Sequence, residues 1–181
     1  GNAEDQLNII DAKVNISGLK INDAISDAFD CDFCEGTISD IVLENVGGDG
    51  LDISGSNLSI IRMDAKYIKD KAFSVGEKSF AVIDDASYDT VATGIAVKDS
   101  SIVKASNINL KNVEFDSFMT YVKKPFYKGD TRLEVNKYII NNEIESNLCV
   151  REKGTNLVVD NESCDISEID IDQLYEGRMK K

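Results

Sequence analysis

The feature that most constrains this chain is a pattern of apolar residues that returns every 22 residues. The first row of the pattern is Leu7, Phe29, Leu51, Phe73, Ile95 and Phe118. A second row, two residues further on, is Ile9, Cys31, Ile53, Val75, Val97 and Thr120. A third pair of rows is predicted at Val14, Gly36, Leu58, Phe80 and Ile102 and at Ile16, Ile38, Ile60, Val82 and Lys104. A repeat of this length is typical of stacked supersecondary units that bury their apolar faces against one another.

The spacing within each repeat indicates short strands rather than helices. Two rows separated by two residues place both side chains on one face of a strand. No repeat keeps apolar residues at helical spacing over about ten residues. Because parallel crossovers favour the right hand, the sequence predicts an all-β fold. We expect a right-handed parallel β-helix, a solenoid of about seven coils with a 22-residue repeat.

The chain divides into three parts. Residues 1–4 are interpreted as a cloning remnant or linker, residues 5–165 as the β-helix domain, and residues 166–181 as a C-terminal cap or tail. A solenoid needs its open ends covered. We expect the open end to be covered by the apolar residues of the tail, Ile169, Ile171, Leu174 and Tyr175.

The composition bounds the possible partners. A net charge of −13 argues against nucleic acid, because phosphate binding needs a basic face. The same charge repels acidic polysaccharides unless a local basic patch or a cation intervenes. No apolar run approaches the roughly 20 residues that span a bilayer, so no membrane insertion is expected.

The four cysteines do not form a disulfide scaffold. Cys31 falls on an inward row and is expected to be a buried core thiol, since free cysteine behaves as a small apolar residue. Cys31 and Cys34 form a CxxC pair, but the chain has no His, which disfavours a zinc site. Cys149 and Cys164 are able to pair if the protein is secreted.

One corner carries an insertion of about eight residues between Tyr121 and Arg132, judged against the 22-residue repeat. Insertions in solenoids form loops on one face, often the binding face. The predicted binding residues combine a basic spot with flat rings suited to stacking on sugars or partner proteins. They are Lys98, Tyr121, Lys123, Lys124, Phe126, Tyr127, Lys128 and Arg132. The alternative is that the aromatic rings fold down to cover the coil edge.

Carboxylates recur on the outward side of the first strands. Stacked coils lie ~4.8 Å apart, so Asp30 and Asp52 are expected to be neighbours, with Asp27 and Asp49 one corner away. Four carboxylates at that spacing are able to bind Ca²⁺, which prefers several oxygen ligands. They are also able to act as an acid/base pair, or to form no more than a solvated acidic strip.

Two further residues are candidates for base chemistry. Lys98 and Tyr121 are predicted on adjacent coils, and a lyase or epimerase needs such a base beside an acidic sugar. The alternative for Lys98 and Asp99 is an ordinary exposed ion pair, which contributes little to stability.

The successive coils resemble a known family. The motifs that carry the resemblance are Ser26 to Asp30, Gly48 to Ser56, Lys71 to Glu77 and Gly94 to Ser101. They are similar to the coils of a bacterial right-handed β-helix repeat family in the pectin-lyase-like superfamily. The resemblance implies that the chain is a module of a large bacterial surface or exopolysaccharide-associated protein. Some proteins of this kind also carry a spore-coat-protein-H-like kinase domain. The resemblance further implies an extracellular location. The superfamily also includes polysaccharide lyases, hydrolases and epimerases.

Three functions are therefore expected from the sequence. The first is a non-catalytic binding or structural module that contacts polysaccharide or other domains of the parent protein and requires no cofactor. The second is a polysaccharide lyase or epimerase using Asp30, Asp52, Lys98 and Tyr121, with a bound Ca²⁺. The third is a rigid architectural spacer.

Overall fold

The computed structural model describes residues 5–127 and 129–177. Strands make up 69% of the described residues and helix 3%, and the strands form a β-solenoid of about seven turns. The strands are β1 (Asp5–Ile10), β2 (Lys13–Ser17), β3 (Lys20–Ala24), β4 (Asp27–Asp32), β5 (Glu35–Val46), β6 (Leu51–Ser54), β7 (Asn57–Gly76), β8 (Phe80–Lys98), β9 (Ile102–Tyr121), β10 (Arg132–Asn141), β11 (Asn147–Arg151), β12 (Asn156–Val159) and β13 (Glu162–Ser163). The helix α1 (Ile171–Glu176) follows them. The predicted parallel β-helix is confirmed.

Backbone pairing between successive coils sets the register. β1 pairs with β4, β4 with β6, β6 with β7, β7 with β8, and β8 with β9, all in parallel. This register aligns the first predicted row, Leu7, Phe29, Leu51, Phe73, Ile95 and Phe118. From Phe29 onward every side chain of that row is fully buried. The row thus forms the continuous apolar centre of the solenoid.

The third pair of rows is correct for the first coils and wrong beyond Ile60. Ile60 pairs with Ile83, which is buried, and not with Val82, which is 37% exposed. The cause is one extra residue in the preceding turn, where both Glu77 and Lys78 have positive φ. The same shift moves three other predicted members out of the core, Phe80, Ile102 and Lys104.

Each coil bends at residues in the left-handed backbone conformation, and these residues stack in three rows. The first corner row is Asp11, Phe33, Gly55, Glu77 and Asp99. The second corner row is Gly18, Asp40, Arg62, Asp85, Asn107 and Lys137. The third corner row is Asp23, Asn45, Tyr67, Thr90 and Asn112. Asp and Asn predominate because their short polar side chains tolerate this conformation better than other non-glycine residues.

All four cysteines form disulfides, which corrects the prediction of a free thiol in the core. Cys31 bonds Cys34 across the first corner, and both are buried. Cys149 bonds Cys164, as the sequence allowed, and ties β11 to the segment after β13. Within the described ranges, no helix is long and apolar enough to cross a membrane.

The tail packs on the side of the solenoid. Leu174 joins a second apolar cluster with Ala96, Met119 and Tyr121, which lie on the outer face of the first strands. The other predicted tail residues, Ile169, Ile171 and Tyr175, pack against the same cluster. From the sequence, these tail residues are expected to cover the open end, whereas they cover the outer face of the first strands. As a result, Ala96, Met119 and Tyr121 are buried.

Thr90 is a β-branched residue with φ of 60° in the third corner row. Such residues are disfavoured there by contact of the branched side chain with the backbone. We expect Thr90→Asn to raise the free energy of unfolding by about 1 kcal/mol, measured by urea denaturation. The reciprocal change Asn45→Thr should lower it. Equal stability of Thr90→Asn and the parent protein would contradict the strain argument.

Candidate functional site

The outward residues of the first strands form one line along the solenoid, here called the outer strip. Its members are Asp30, Asp52, Ser74, Ala96, Met119 and Val150. Asp30 pairs directly with Asp52, and in the adjoining row Lys98 pairs with Tyr121. The structure thus confirms both predicted neighbour relations, because each follows from the coil register alone.

The C-terminal half of the outer strip is covered. Helix α1 lies over Ala96 and Met119, and these side chains are fully buried. Tyr121 is also fully buried and Lys98 is 6% exposed. These two residues were predicted to face solvent as binding or catalytic groups. The predicted exposure is wrong, because residues of the C-terminal tail cover this part of the surface.

Lys98 is held inside a polar cluster under the tail. Its Nζ donates to Ser74 Oγ at 2.6 Å and lies 3.6 Å from Asp52 Oδ1. Burial by itself lowers the pKa of Lys98, but the charges of Asp52, Tyr175, Asp49 and Asp99 together outweigh it, and the pKa lies above its ordinary value. The expected exposed ion pair with Asp99 is therefore replaced by a buried contact with Asp52.

Lys71 forms a second buried ion group on the neighbouring coil. Its Nζ lies 2.6 Å from Asp70 Oδ2 and 3.0 Å from Asp49 Oδ1, and all three residues are buried. Burial opposes the charge of Lys71, yet Asp49 and Asp70 keep its pKa above the ordinary value. Burial together with the charge of Asp49 raises the pKa of Asp70 to about 6. Neither Lys71 nor Asp70 is singled out from the sequence as a member of a buried ion group.

Tyr175 of α1 closes the cluster from above. Its hydroxyl lies 2.6 Å from the hydroxyl of Tyr121. The Nζ of Lys123 lies 4.0 Å from the centre of the Tyr175 ring, a cation–π contact. Burial, reinforced by Tyr175, raises the pKa of Tyr121 well above its usual range. Burial lowers the pKa of Lys123, and the charges of Lys98 and Lys71 add to that effect.

Three of the four predicted metal ligands lie close together. Carboxylate oxygens of Asp27, Asp49 and Asp52 fall within 4.8 Å of one another, and this group does not include Asp30. Asp27 Oδ1 accepts the backbone N–H of Asp49 at 2.6 Å, and Asp49 Oδ1 accepts the backbone N–H of Lys71 at 3.0 Å. The two carboxylates thus bind the backbone of the next coil. A Ca²⁺ ion at this point stays a prediction, and it would compete with the ammonium groups of Lys71 and Lys98.

The surface at the N-terminal end of the outer strip is accessible and acidic. It comprises Asp30 and Asp52 of the strip with their neighbours Asn8, Asp32 and Ser54, and is called the open half here. All of these residues are exposed or half-buried. Burial raises the pKa of Asp30 from 3.8 to about 7, and the charges of Asp32 and Asp52 add to it. The charge of Asp52 is offset by Lys98, 3.6 Å away, whereas the nearest charges to Asp30 are the like charges of Asp32 and Asp52.

The insertion loop is anchored at its start by carboxylates. Asp99 Oδ1 accepts the backbone N–H groups of Lys123 at 2.9 Å and Lys124 at 2.7 Å. Glu152 accepts the backbone N–H of Val122 at 2.6 Å. Asp99 is fully buried. These hydrogen bonds are not predicted from the sequence. An acidic residue after a strand does not by itself indicate which distant loop its carboxylate will bind.

The predicted basic spot is largely neutralised by acidic partners. Lys124 pairs with Glu77, and Arg132 lies 2.6 Å from Glu134. Lys123 contacts the Tyr175 ring as described above. Lys128 lies outside the described residues. The loop thus presents less free positive charge than its sequence suggests.

The rings of the loop behave differently from one another. Phe126 is 73% exposed, and its ring centre lies 4.8 Å from that of Tyr127. The Tyr127 hydroxyl donates to Glu77 Oε2 at 3.2 Å. Tyr121, by contrast, is buried, so the predicted aromatic surface is reduced to Phe126 and Tyr127. Phe33, which the sequence did not single out, adds a ring that is 59% exposed on the first corner row.

Comparison of the chain with protein-family models, with curated proteins and with solved structures finds no match. The fold therefore stands on the geometry described above, and any function must be argued from these residues.

The charge on Asp30 should destabilise the protein at neutral pH. Its pKa is about 7 in the folded state and near 3.8 when unperturbed, so the folded protein holds a proton that the unfolded chain has released. Stability should therefore fall as the pH rises between about 4 and 7. We expect Asp30→Asn to gain about 1 kcal/mol at pH 8, after allowance for solvent screening.

Thermal unfolding between pH 4 and 8 measures this effect. Asp40→Asn is the control of opposite sign, because hydrogen bonding to Arg62 lowers the pKa of Asp40 and its loss should not stabilise. A pH profile of Asp30→Asn parallel to that of the parent protein would contradict the argument.

The buried ion group of Lys71, Asp49 and Asp70 should contribute substantially to the free energy of unfolding. We expect Lys71→Met to cost about 3–5 kcal/mol in urea unfolding, because it leaves buried carboxylates without their ammonium partner. Lys13→Met is the matched control, since Lys13 pairs with Glu35 at 4.0 Å and is 88% exposed in its side chain. It should cost less than about 1 kcal/mol. Equal costs for the two variants would show that burial of the Lys71 group is unimportant.

Proposed function

We propose that the chain is a non-catalytic carbohydrate-binding module of a larger bacterial surface or exopolysaccharide-associated protein, related to the pectin-lyase-like β-helix domains. Its contact surface is the open half together with the exposed rings of the insertion loop. The observation that carries the proposal is the exposed Phe126 ring, fixed beside Tyr127 on a loop whose backbone is anchored by Asp99.

Two properties of this surface suit a sugar. Aromatic rings held in place bind a flat sugar face with little loss of conformational entropy. Carboxylates such as Asp30, Asp32 and Asp52 accept hydrogen bonds from sugar hydroxyls. Asp30 and Asp52 are separated by the coil spacing of ~4.8 Å. An acidic surface disfavours uronate polymers, so neutral sugars fit it better.

The disulfide bonds support an extracellular location of the protein. Both disulfides, Cys31–Cys34 and Cys149–Cys164, belong to an oxidising compartment, since such bonds are rare in the reducing cytosol. The expected extracellular or cell-surface location is in line with them.

A polysaccharide lyase or epimerase is the second candidate, favoured by one observation. Asp52, Lys98 and Tyr121 do come together on the outer strip. Against it, the pKa values of Lys98 and Tyr121 are both raised, so both groups hold their protons at neutral pH, whereas a general base must release one. Helix α1 would also have to leave before a substrate reached them.

The proposal predicts that Phe126→Ala weakens glycan binding about tenfold without lowering the thermal midpoint, because the ring is largely exposed. Binding would be measured on a glycan array and then by calorimetry on the strongest hit, with and without Ca²⁺. Ile139→Ala is the control, since Ile139 is 62% exposed on β10.

The outcomes separate the candidate functions. Loss of binding in Phe126→Ala alone supports the module, and equal binding in both variants contradicts the assignment of the surface. New ultraviolet-absorbing unsaturated ends on uronate polymers would favour the lyase. Absence of any glycan hit would favour a spacer or a partner domain.

A further inference from the structure

A groove of about 870 Å³ follows the third corner row, and it shares no lining residue with the outer strip or the insertion loop. It extends from the coil of Ile25 to that of Asn112, and Ile144 lies at its far end. At ~4.8 Å per coil, its floor is roughly 19 Å long. A groove of this length accepts several units of an extended polymer lying along the solenoid axis.

The floor of the groove is smooth and apolar. Val46, Ile68 and Val91 are buried beneath it, and Ala92 is 6% exposed. Gly47 allows the coils to stack closely here, because a Cβ atom at this position would lie 2.0 Å from the carbonyl oxygen of Ile25 on the preceding coil.

One wall of the groove presents an aromatic ring. Tyr67 is 45% exposed and is held in the left-handed conformation, with φ of 57°. The Nζ of Lys66 lies 4.7 Å from the centre of its ring. Neighbouring coils carry Asn45, Thr90 and Asn112 at the same position, so amide and hydroxyl groups flank the ring.

The far end of the groove is closed by a pinned segment. Asn142 Oδ1 accepts the backbone N–H of Val113 at 3.0 Å, and Asn112 Oδ1 accepts that of Glu143 at 3.4 Å. These bonds hold Ile144, which is 52% exposed, at the groove's end. The groove is therefore shaped by specific contacts rather than by a loose loop.

The charges of the groove favour a neutral ligand. Its ionisable lining residues are Lys69, Glu114 and Glu143, of both signs, on a protein whose net charge is −13. A polyanion would meet two carboxylates and a repulsive field, and a polycation would find no dense acidic row. Uncharged hydrogen-bonding groups match the lining best.

An extended peptide fits the groove less well than a sugar chain. Peptides bind sheets most readily by adding a strand to a free edge. Here the lining strands β5, β7, β8 and β9 already pair with one another along the axis, so the groove offers side chains rather than an unpaired backbone edge. Amide, hydroxyl and aromatic side chains are the groups that contact hydroxyl-rich ligands.

We propose that this groove is a binding site for a chain of neutral hexoses lying parallel to the solenoid axis, with the Tyr67 ring stacked on one sugar. The inference rests on the proposed function for its class of ligand and on different residues for its location.

The test uses native gel electrophoresis in gels that contain glucomannan, mixed-linkage β-glucan or, as the anionic comparison, polygalacturonate. Tyr67→Asn removes the ring and keeps a residue type that this row already carries at Asn45 and Asn112. Arg62→Asn is the matched control, because Arg62 has φ of 58° in the second corner row, outside the groove. Thermal melts confirm that both variants fold.

We expect retardation by at least one neutral polymer, weakened about tenfold in Tyr67→Asn and unchanged in Arg62→Asn. Retardation by polygalacturonate alone, or neutral binding that Tyr67→Asn leaves intact, would overturn the groove assignment.

Phe126→Ala in the same gels separates the two proposals. If Phe126→Ala abolishes retardation and Tyr67→Asn does not, the contact surface of the proposed function is supported and the groove is ruled out as the binding site. The reverse result supports the groove and contradicts that contact surface. No retardation of the parent protein by either neutral polymer overturns the groove, and the glycan array then decides the proposed function by itself.

Discussion

The structure depends on backbone hydrogen bonds that run from coil to coil along the axis. They place each residue next to its counterpart one repeat earlier, so the backbone position of one coil fixes the register of the next. Small hydroxyl groups strengthen the stack: the backbone N–H of Ser56 donates to Ser79 Oγ at 3.0 Å, and that of Ser79 to Ser101 Oγ at 3.1 Å. Register, corners and surface rows all follow from this stacking.

Stacking also creates an electrostatic problem, because like charges repeat at the coil spacing. Beside the part of the strip that the tail covers, Lys71 lies next to Asp49 and Lys98 next to Asp52, so unlike charges meet there. The open half keeps its carboxylates together and raises the pKa of Asp30 instead. A buried ion group suits a fixed framework, whereas accessible carboxylates remain available to a ligand. The tail thus separates a buried part of the strip from an accessible acidic part.

Both proposed binding surfaces include a place where the regular stack is interrupted or bent. The insertion after Tyr121 places Phe126 in solvent next to Tyr127. The bend at the third corner row makes a groove on another side of the solenoid, with Tyr67 as its exposed ring. Both surfaces join an aromatic ring to polar side chains in coil register, which suits polymers that are themselves repetitive.

The sequence by itself determined the β-helix and the inward rows through Phe29 and Cys31. It also determined two neighbour relations, Asp30 with Asp52 and Lys98 with Tyr121. The reason is that residues one repeat apart in the sequence pair with each other on adjacent coils. The sequence did not reveal the extra residue at Glu77 and Lys78, because Phe80 and Val82 are apolar as well as Ala81 and Ile83, so the apolar pattern allows either register. Only the tertiary structure decided accessibility. The burial of Lys98 and Tyr121 depends on Leu174 and Tyr175, which lie far along the chain and reach the outer strip by packing rather than by any repeat.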